Sequence, residues 1–348
     1  MVDKKIIAAL KPILLWVILG LFGNVLHAQD IHYSQFYADP LRLNPARTGQ
    51  FNGDYRFGLN VRDQWESVPV PYQTASAYAD FGLMRRQYKG GWLGAGLNVL
   101  HDRGGTAWLA LTEVRALMAV HKALTSNLVV SVGASGAYRY RSIASGLLFG
   151  SQWNEQTFDP SIVSGEVLAA GGFGYWDVHT GMSITYLQPD FFSLYFDGSI
   201  MHINRPNESF LGDVNRIGQR PVIHIGGSVW LGNLSLEPAA YYTTQKKASE
   251  LVLGTNIAFA LKDGYRSAAS KLYLGAWVRF NDGLNQNDAF IIKTGLEMNA
   301  YRFLLSYDIN TSSLRPATKM RGGLELSLVH VGVLPGSNKP QTIHCPRF

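Results

Sequence analysis

The feature that most constrains this chain is an apolar alternation of period two, repeated in segments of about ten residues. From Tyr301 to Asn310 one face reads Tyr301, Phe303, Leu305, Tyr307 and Ile309, and the other reads Arg302, Leu304, Ser306, Asp308 and Asn310. Between Lys271 and Asn281, Leu272, Leu274, Ala276, Val278 and Phe280 oppose Lys271, Tyr273, Gly275, Trp277, Arg279 and Asn281. The stretches from Tyr55, Leu128 and Phe290 repeat the pattern. A period of two is a strand signal, because successive side chains point to opposite faces of a sheet. A soluble sandwich alternates too, but it seldom carries so many Gly and Tyr at strand positions.

Export decides which setting the strands meet. Lys4, Lys5 and Lys11 precede an apolar stretch from Ile13 to Phe22, which gives way to Gly23, Asn24 and Ala28. That order is a signal peptide over residues 1–28, and cleavage after Ala28 starts the mature chain at Gln29-Asp30. A retained membrane helix is the alternative, but ten apolar residues fall short of the roughly 20 that span a bilayer. No Cys follows the stretch to accept a lipid. No later segment is long and apolar enough for a spanning helix either. An exported chain of this kind crosses a membrane as a closed barrel, the other structure that satisfies every backbone group in lipid. The expected fold is therefore all-β, a transmembrane antiparallel up-and-down β-barrel.

Segmentation places strands at 54–63, 73–82, 91–101, 106–120, 127–141, 172–187, 192–203, 221–231, 234–244, 250–262, 271–281, 288–298, 301–311 and 319–331, which makes about fourteen. The connections test that count, since bacterial barrels have even strand numbers, short turns at one end and longer loops at the other. The two longest connections, 142–171 and 204–220, fall at the same end. Gly232-Asn233 and Asn299-Ala300 fall at the opposite end, and Gly and Asn suit two-residue hairpins because they tolerate positive φ. Parity also puts both ends of the mature chain in the periplasm. The domains expected are a barrel over 54–331, an irregular N-terminal segment over 29–53 and a C-terminal tail over 332–348. The tail is unusual, because Pro346 disfavours a ladder strand at the end of the chain. Either the closing strand lies elsewhere or the tail returns to the periplasmic face.

Residues 29–53 carry Asp39-Pro40 and Asn44-Pro45 breaks. Irregular backbone at membrane depth is tolerated only inside protein. The segment, with Phe36, Pro40, Asn44 and Pro45, is expected to plug the lumen or seal its periplasmic mouth, against the alternative of an untethered periplasmic lead.

Several chemistries drop out. The net charge of +6 includes +2 from the signal, and Arg56, Arg62, Arg115, Arg139, Arg279 and Arg302 recur singly rather than clustering, so no nucleic acid partner is indicated. The single Cys, Cys345, excludes an internal disulfide. Asn44-Pro45-Ala46 spells an aquaporin signature without the helices that motif needs. Gly94-Ala95-Gly96 lacks the third glycine of a phosphate loop and lies in a strand, where small lumen or lipid contacts explain it better. No GxSxG occurs. His101-Asp102 and His202 near Asn204 are the candidates for catalysis, and each reads better as rim polarity than as a constellation. His32, His121, His179, His224, His330 and His344 show no ligand spacing. The expectation is no enzyme, no metal and no cofactor. Trp65, Trp153, Phe158 and Phe210 fall in outer connections, where exposed aromatics serve as partner anchors or as part of the interfacial girdle.

One resemblance covers nearly the whole mature chain in order. Tyr33-Ser34-Gln35-Phe36, Pro40-Leu41, Leu43-Asn44-Pro45-Ala46 and Thr48-Gly49 resemble the opening of the PorP/SprF family of type IX secretion membrane proteins. Tyr55-Arg56, Arg62-Asp63-Gln64-Trp65 and Tyr72, Thr74, Ser76 leading to Asp80 fit the same pattern. So do Ser306-Tyr307-Asp308-Ile309-Asn310, Ser313-Leu314, Gly322-Gly323-Leu324-Glu325 and the final Cys345-Pro346-Arg347-Phe348. The resemblance implies an outer-membrane protein of the Bacteroidetes type, associated with type IX secretion and, in some lineages, gliding motility. Its implied partners are a large secreted or surface adhesin with a type B C-terminal sorting domain, other type IX secretion components and outer-membrane lipid. With no ATP-binding loop the role would be passive. A solute porin is the other reading the barrel allows.

Overall fold

The structure is a computed structural model that describes residues 30–64, 72–85, 90–105, 107–144, 147–165, 171–189, 191–261, 270–282, 286–313 and 315–335. The proposed signal peptide, Trp65 and most of the C-terminal tail, with Cys345, lie outside the described residues. Among the described residues no helix is long and apolar enough to cross a membrane.

Fourteen antiparallel strands close into one barrel. They are β1 (Tyr55–Gln64), β2 (Tyr72–Leu83), β3 (Gly91–Gly104), β4 (Leu109–Ala123), β5 (Leu128–Ser142), β6 (Phe173–Gln188), β7 (Phe192–Met201), β8 (Arg220–Leu231), β9 (Leu234–Gln245), β10 (Ala248–Ala260), β11 (Ser270–Asn281), β12 (Gln286–Met298), β13 (Tyr301–Asn310) and β14 (Arg321–Gly332). Each strand expected from alternation is present, with ends shifted by up to three residues. β14 closes the barrel on β1, from Tyr55↔Gly332 to Gln64↔Gly323, so the closing strand lies where the alternation put it.

The alternation is inside out relative to a soluble protein. In β1 the buried positions are Arg56, Gly58, Asn60 and Arg62, while Phe57, Leu59 and Val61 are exposed on the outer face. β4 buries Glu113 and Arg115 and exposes Val114 and Met118. An apolar outer wall loses nothing in lipid, where the hydrocarbon is its natural solvent, and the polar inner set must find partners within the barrel.

Hairpin geometry follows expectation at Gly232 and Asn299, both at positive φ. It departs at the other end. β9 and β10 are joined by Lys246-Lys247 alone, because Gln245 pairs with Ala248 and Lys246 takes the left-handed conformation. Alternation alone stops one residue short of this turn in β9 and starts two residues past it in β10, since a lysine pair carries none of the usual turn chemistry. One outer connection is thus as tight as the tightest turn.

Candidate functional site

The inner face of the barrel is where the polar side chains converge, and residues 32–51 lie against it. Phe36, Pro40, Asn44 and Pro45 are all buried. The segment is short turns joined by breaks: 3-10 turns at Phe36–Ala38 and Pro45–Arg47 flank one helical turn at Pro40–Leu43. Pro40 and Pro45 each stand at the start of a turn, the position where a missing N–H costs nothing. The Asn44 side chain caps the last turn by accepting from the Ala46 N–H at 2.9 Å.

The segment runs the height of the barrel. His32 faces Glu250 of β10 at 3.5 Å, and Ser34 meets Arg62, Arg279 and Asp308, all near the loop end of their strands. Gln50 donates to Thr185 near the turn end of β6. The expectation that the mature chain begins at the periplasmic side therefore fails for the described residues: at the loop end, cations and carboxylates from several strands hold Ser34, and the chain descends from there to β1.

Ser34 is the centre of the charged end. Its Oγ donates to Asp308 at 2.7 Å and accepts from Arg62 at 2.7 Å. The Ser34 and Gln35 N–H groups donate to the two oxygens of Glu325 at 2.8 and 2.9 Å. Arg62 pairs with Asp308 at 2.8 Å and with Glu325 at 3.0 Å, and Arg279 pairs with Asp308 at 3.0 Å. Lys293 donates to the Ser34 carbonyl at 2.7 Å and lies 4.1 Å over the Trp277 ring. β1, β13 and β14 are therefore tied together across the closing seam by two residues of the segment.

The middle is held by aromatics and carboxylates. Phe36 stacks on Tyr241 at 5.3 Å and meets Trp277 and His224 edge-on. Asp39 accepts from Ser76 and Asn98. Arg42 pairs with Glu113, which also binds Arg115 and Arg139. Arg47 pairs with Asp197 at 2.7 Å and lies over Tyr195.

At the turn end the segment is held by shape. Gly94 of β3, Ala119 of β4, Gly133 of β5, Gly181 of β6 and Ser199 of β7 stand side by side in register. They form a furrow of small residues across five strands. A Cβ on Gly94 would land on the Thr48 carbonyl, one on Gly133 would sit 2.5 Å from the Ala46 nitrogen, and one on Gly181 would strike the Asn44 side chain. Ser199 donates to the Leu43 carbonyl at 2.8 Å and His121 bonds the Thr48 carbonyl at 2.7 Å. Gly94 thus has a lumen contact, and the contact is backbone of the chain itself. With these contacts the inner face of every strand meets the segment.

The histidine candidates separate. His101 is exposed and bonds Thr112, whereas Asp102 accepts from Thr74, so the two share no site. His202 meets Asp177 at 2.6 Å, and its N–H donates to His179 Nδ1 at 3.1 Å. Asp177, His179 and His202 form the group whose ligand atoms could surround an ion. Sequence spacing missed it because the residues come from β6 and from just beyond β7. His179 Nδ1 already accepts from backbone, which leaves its proton on Nε2. Arg139 lies 3.4 Å from the same Asp177 oxygen. Asp177 thus stands between His202 and Arg139.

Outside the lumen, Trp153 and Phe158 face each other at 5.1 Å across an isolated bridge, and both are about half exposed. Phe210 is half-buried against Phe173 at 4.9 Å. Arg141, near the end of β5, pairs with Glu208, which ties the connection after β7 to the rim of β5. Val163, Leu211 and Val214 are exposed nearby in sequence.

No curated protein matches the chain. Among solved structures it is similar to the CymD monoaromatic hydrocarbon channel, at 11% identity and a TM-score of 0.51, over 85% of this chain and 93% of that one. It is also similar to a deltaS2 mutant of the TodX monoaromatic hydrocarbon channel, at 13% identity and a TM-score of 0.50, over 84% and 93%. Identities this low carry the fold and nothing further, an outer-membrane β-barrel. Residues 25–329 match the family model of the type IX secretion system membrane protein PorP/SprF, so this outer-membrane barrel belongs to the PorP/SprF family.

Proposed function

We propose that this barrel assists type IX secretion passively, by receiving or anchoring a large surface adhesin with a type B C-terminal sorting domain, alongside other type IX secretion components. The observation that carries the reading is the lumen segment, which leaves the inner faces of the strands engaged with the chain's own residues. A barrel built that way suits holding a partner better than passing solutes. Phe36, Pro40, Asn44 and Pro45 act as the plug in this reading. The outer loops offer the complementary surface, with Trp153 and Phe158 half exposed and Phe210 half-buried against Phe173; Trp65, in the first outer connection, joins them as a proposed contact. Apolar side chains in loops that extend beyond the bilayer have no lipid to cover them, which favours a protein partner.

Deletion of the gene followed by proteomics of cell surface and medium tests the role. Release or loss of one large surface protein, and of gliding in a motile host, is expected. Loss of growth on one solute with an unchanged surface would replace the proposal with a porin. Planar bilayer conductance tests the plug separately: the intact chain should conduct little and a chain lacking residues 30–50 should conduct more. Equal conductance would sink the plug while leaving the secretion role open to the first experiment.

A further inference from the structure

Four cations gather at the outer rim above β8, β9 and β10. Lys246 and Lys247 form the whole β9–β10 connection and are exposed. A strand of about 12 residues, tilted by about 40°, climbs roughly the 30 Å of a hydrocarbon core. A two-residue hairpin at its end cannot carry its lysines beyond the headgroup layer. The connection after β7 folds back beside them: Asn207 and Arg216 face each other in an antiparallel bridge, and the Ile217 N–H donates to the Pro206 carbonyl at 3.0 Å. That register sets Arg205 opposite Gly218. Gln245 donates to the Gly218 carbonyl at 3.2 Å, Arg205 donates to Gln219 at 3.2 Å, and a Cβ on Gly218 would sit 2.8 Å from Lys246 Cγ. Arg205, Arg216, Lys246 and Lys247 therefore share one exposed patch. Of the acids of the same connection, Glu208 is paired with Arg141, which leaves Asp213, held by Ser209, as one carboxylate against four cations.

Directly below, the outer wall is apolar, with Ile223, Tyr242 and Leu253 exposed. Clustered cations over an apolar wall, at headgroup height, complement a lipid with a phosphorylated head and acyl chains. We propose that this patch is a binding site for an outer-leaflet glycolipid, held by its phosphate on Lys246, Lys247, Arg205 and Arg216, with its acyl chains along β8–β10. The site is independent of the secretion role.

Native mass spectrometry of the full mature barrel in non-ionic detergent, loaded with monophosphorylated lipid A or with the same lipid dephosphorylated, tests it. The phosphorylated lipid should be retained more strongly, and Lys246→Gln with Lys247→Gln should cut that retention by about fivefold for each charge removed, the scale of one basic side chain near a membrane surface. Because the four side chains are exposed, the variant should keep the heat-modifiable migration of a folded barrel. The lipid comparison on the unaltered protein needs no variant at all. Equal retention of the two lipids overturns the proposal, as does unchanged retention in the folded variant. Displacement of lipid A by millimolar inorganic phosphate would make this a free-phosphate site and also overturns it.

Discussion

The two ends of the lumen segment are held by different physics. At the loop end, Ser34 and Gln35 sit among Arg62, Arg279, Lys293, Asp308 and Glu325, bound by charge-assisted hydrogen bonds between 2.7 and 3.1 Å. At the turn end, Pro45–Thr48 lies in a furrow whose floor is Gly94, Ala119, Gly133, Gly181 and Ser199. Charge fixes which residue binds where, because a misplaced partner leaves a buried ion uncompensated. Shape fixes how closely backbone approaches backbone, because a furrow without Cβ atoms admits a carbonyl that any side chain would exclude. The segment thus gains register from one end and close packing from the other, and each end fails differently when altered.

Breaking the charged end should have the larger effect. Arg62→Met leaves Asp308 with Arg279 but leaves Glu325 with only the Ser34 and Gln35 N–H groups and the more distant cations. Losing one partner of a buried ion pair costs about 3–5 kcal/mol. Urea titration of the lipid-reconstituted barrel, followed by heat-modifiable migration, should show that loss. A shift under about 1 kcal/mol would mean the charged end is solvated rather than latched.

Filling the furrow comes next. Gly94→Val suits a strand, so the wall itself should assemble, but the new side chain occupies the place of the Thr48 carbonyl. Overpacking of this sort costs about 1–3 kcal/mol. The segment should lift from the turn end while Ser34 stays bound, seen as proteolysis of residues 45–51 in the reconstituted protein and increased conductance. A variant with parental conductance and protection would show that the furrow does not hold the segment. Ser199→Ala removes a single donor to the Leu43 carbonyl and should cost about 1 kcal/mol by the same titration.

The contrast also explains what the sequence could disclose. The wall was readable because lipid and lumen impose opposite demands on alternate residues, so Phe57, Leu59 and Val61 announce one face and Arg56, Asn60 and Arg62 the other. Loop parity was readable for the same local reason. The segment's contacts are not periodic: Ser34 finds Asp308 across 274 positions, and no local pattern marks that pairing. Asn44-Pro45 reveals only that a strand cannot pass there. A signal was nevertheless present on the inner faces. Glycines at inward positions of β3, β5 and β6 are wasted in a water-filled pore, and they make sense once something presses against the wall. Full charges of both signs at inward positions, Arg62 with Asp308 and Glu325, point the same way. Asp177 and His179 share a face of β6, but His202 joins them only through strand pairing, and the Lys246-Lys247 turn is shaped by the ladder on either side rather than by its own residues.

The finest test of the comparison is whether the two ends act independently. Arg62 touches Ser34, Asp308 and Glu325 whereas Gly94 faces Thr48 and His121, and the residues they hold, Ser34 and Thr48, are separated by three turns with their own anchors at Asp39, Arg42 and Arg47. Distant sites without shared partners usually add within about 0.5 kcal/mol. If those middle anchors isolate the ends, Arg62→Met combined with Gly94→Val should destabilise by the sum of the two single changes, to within that margin. A coupling beyond about 1 kcal/mol would mean that the segment leaves the lumen as one body once either end is freed. Repeating the cycle with Arg42→Met in the background separates the cases: an isolating anchor, once removed, should let coupling rise from near zero, whereas a segment that already moves as one body should show the same coupling with or without it.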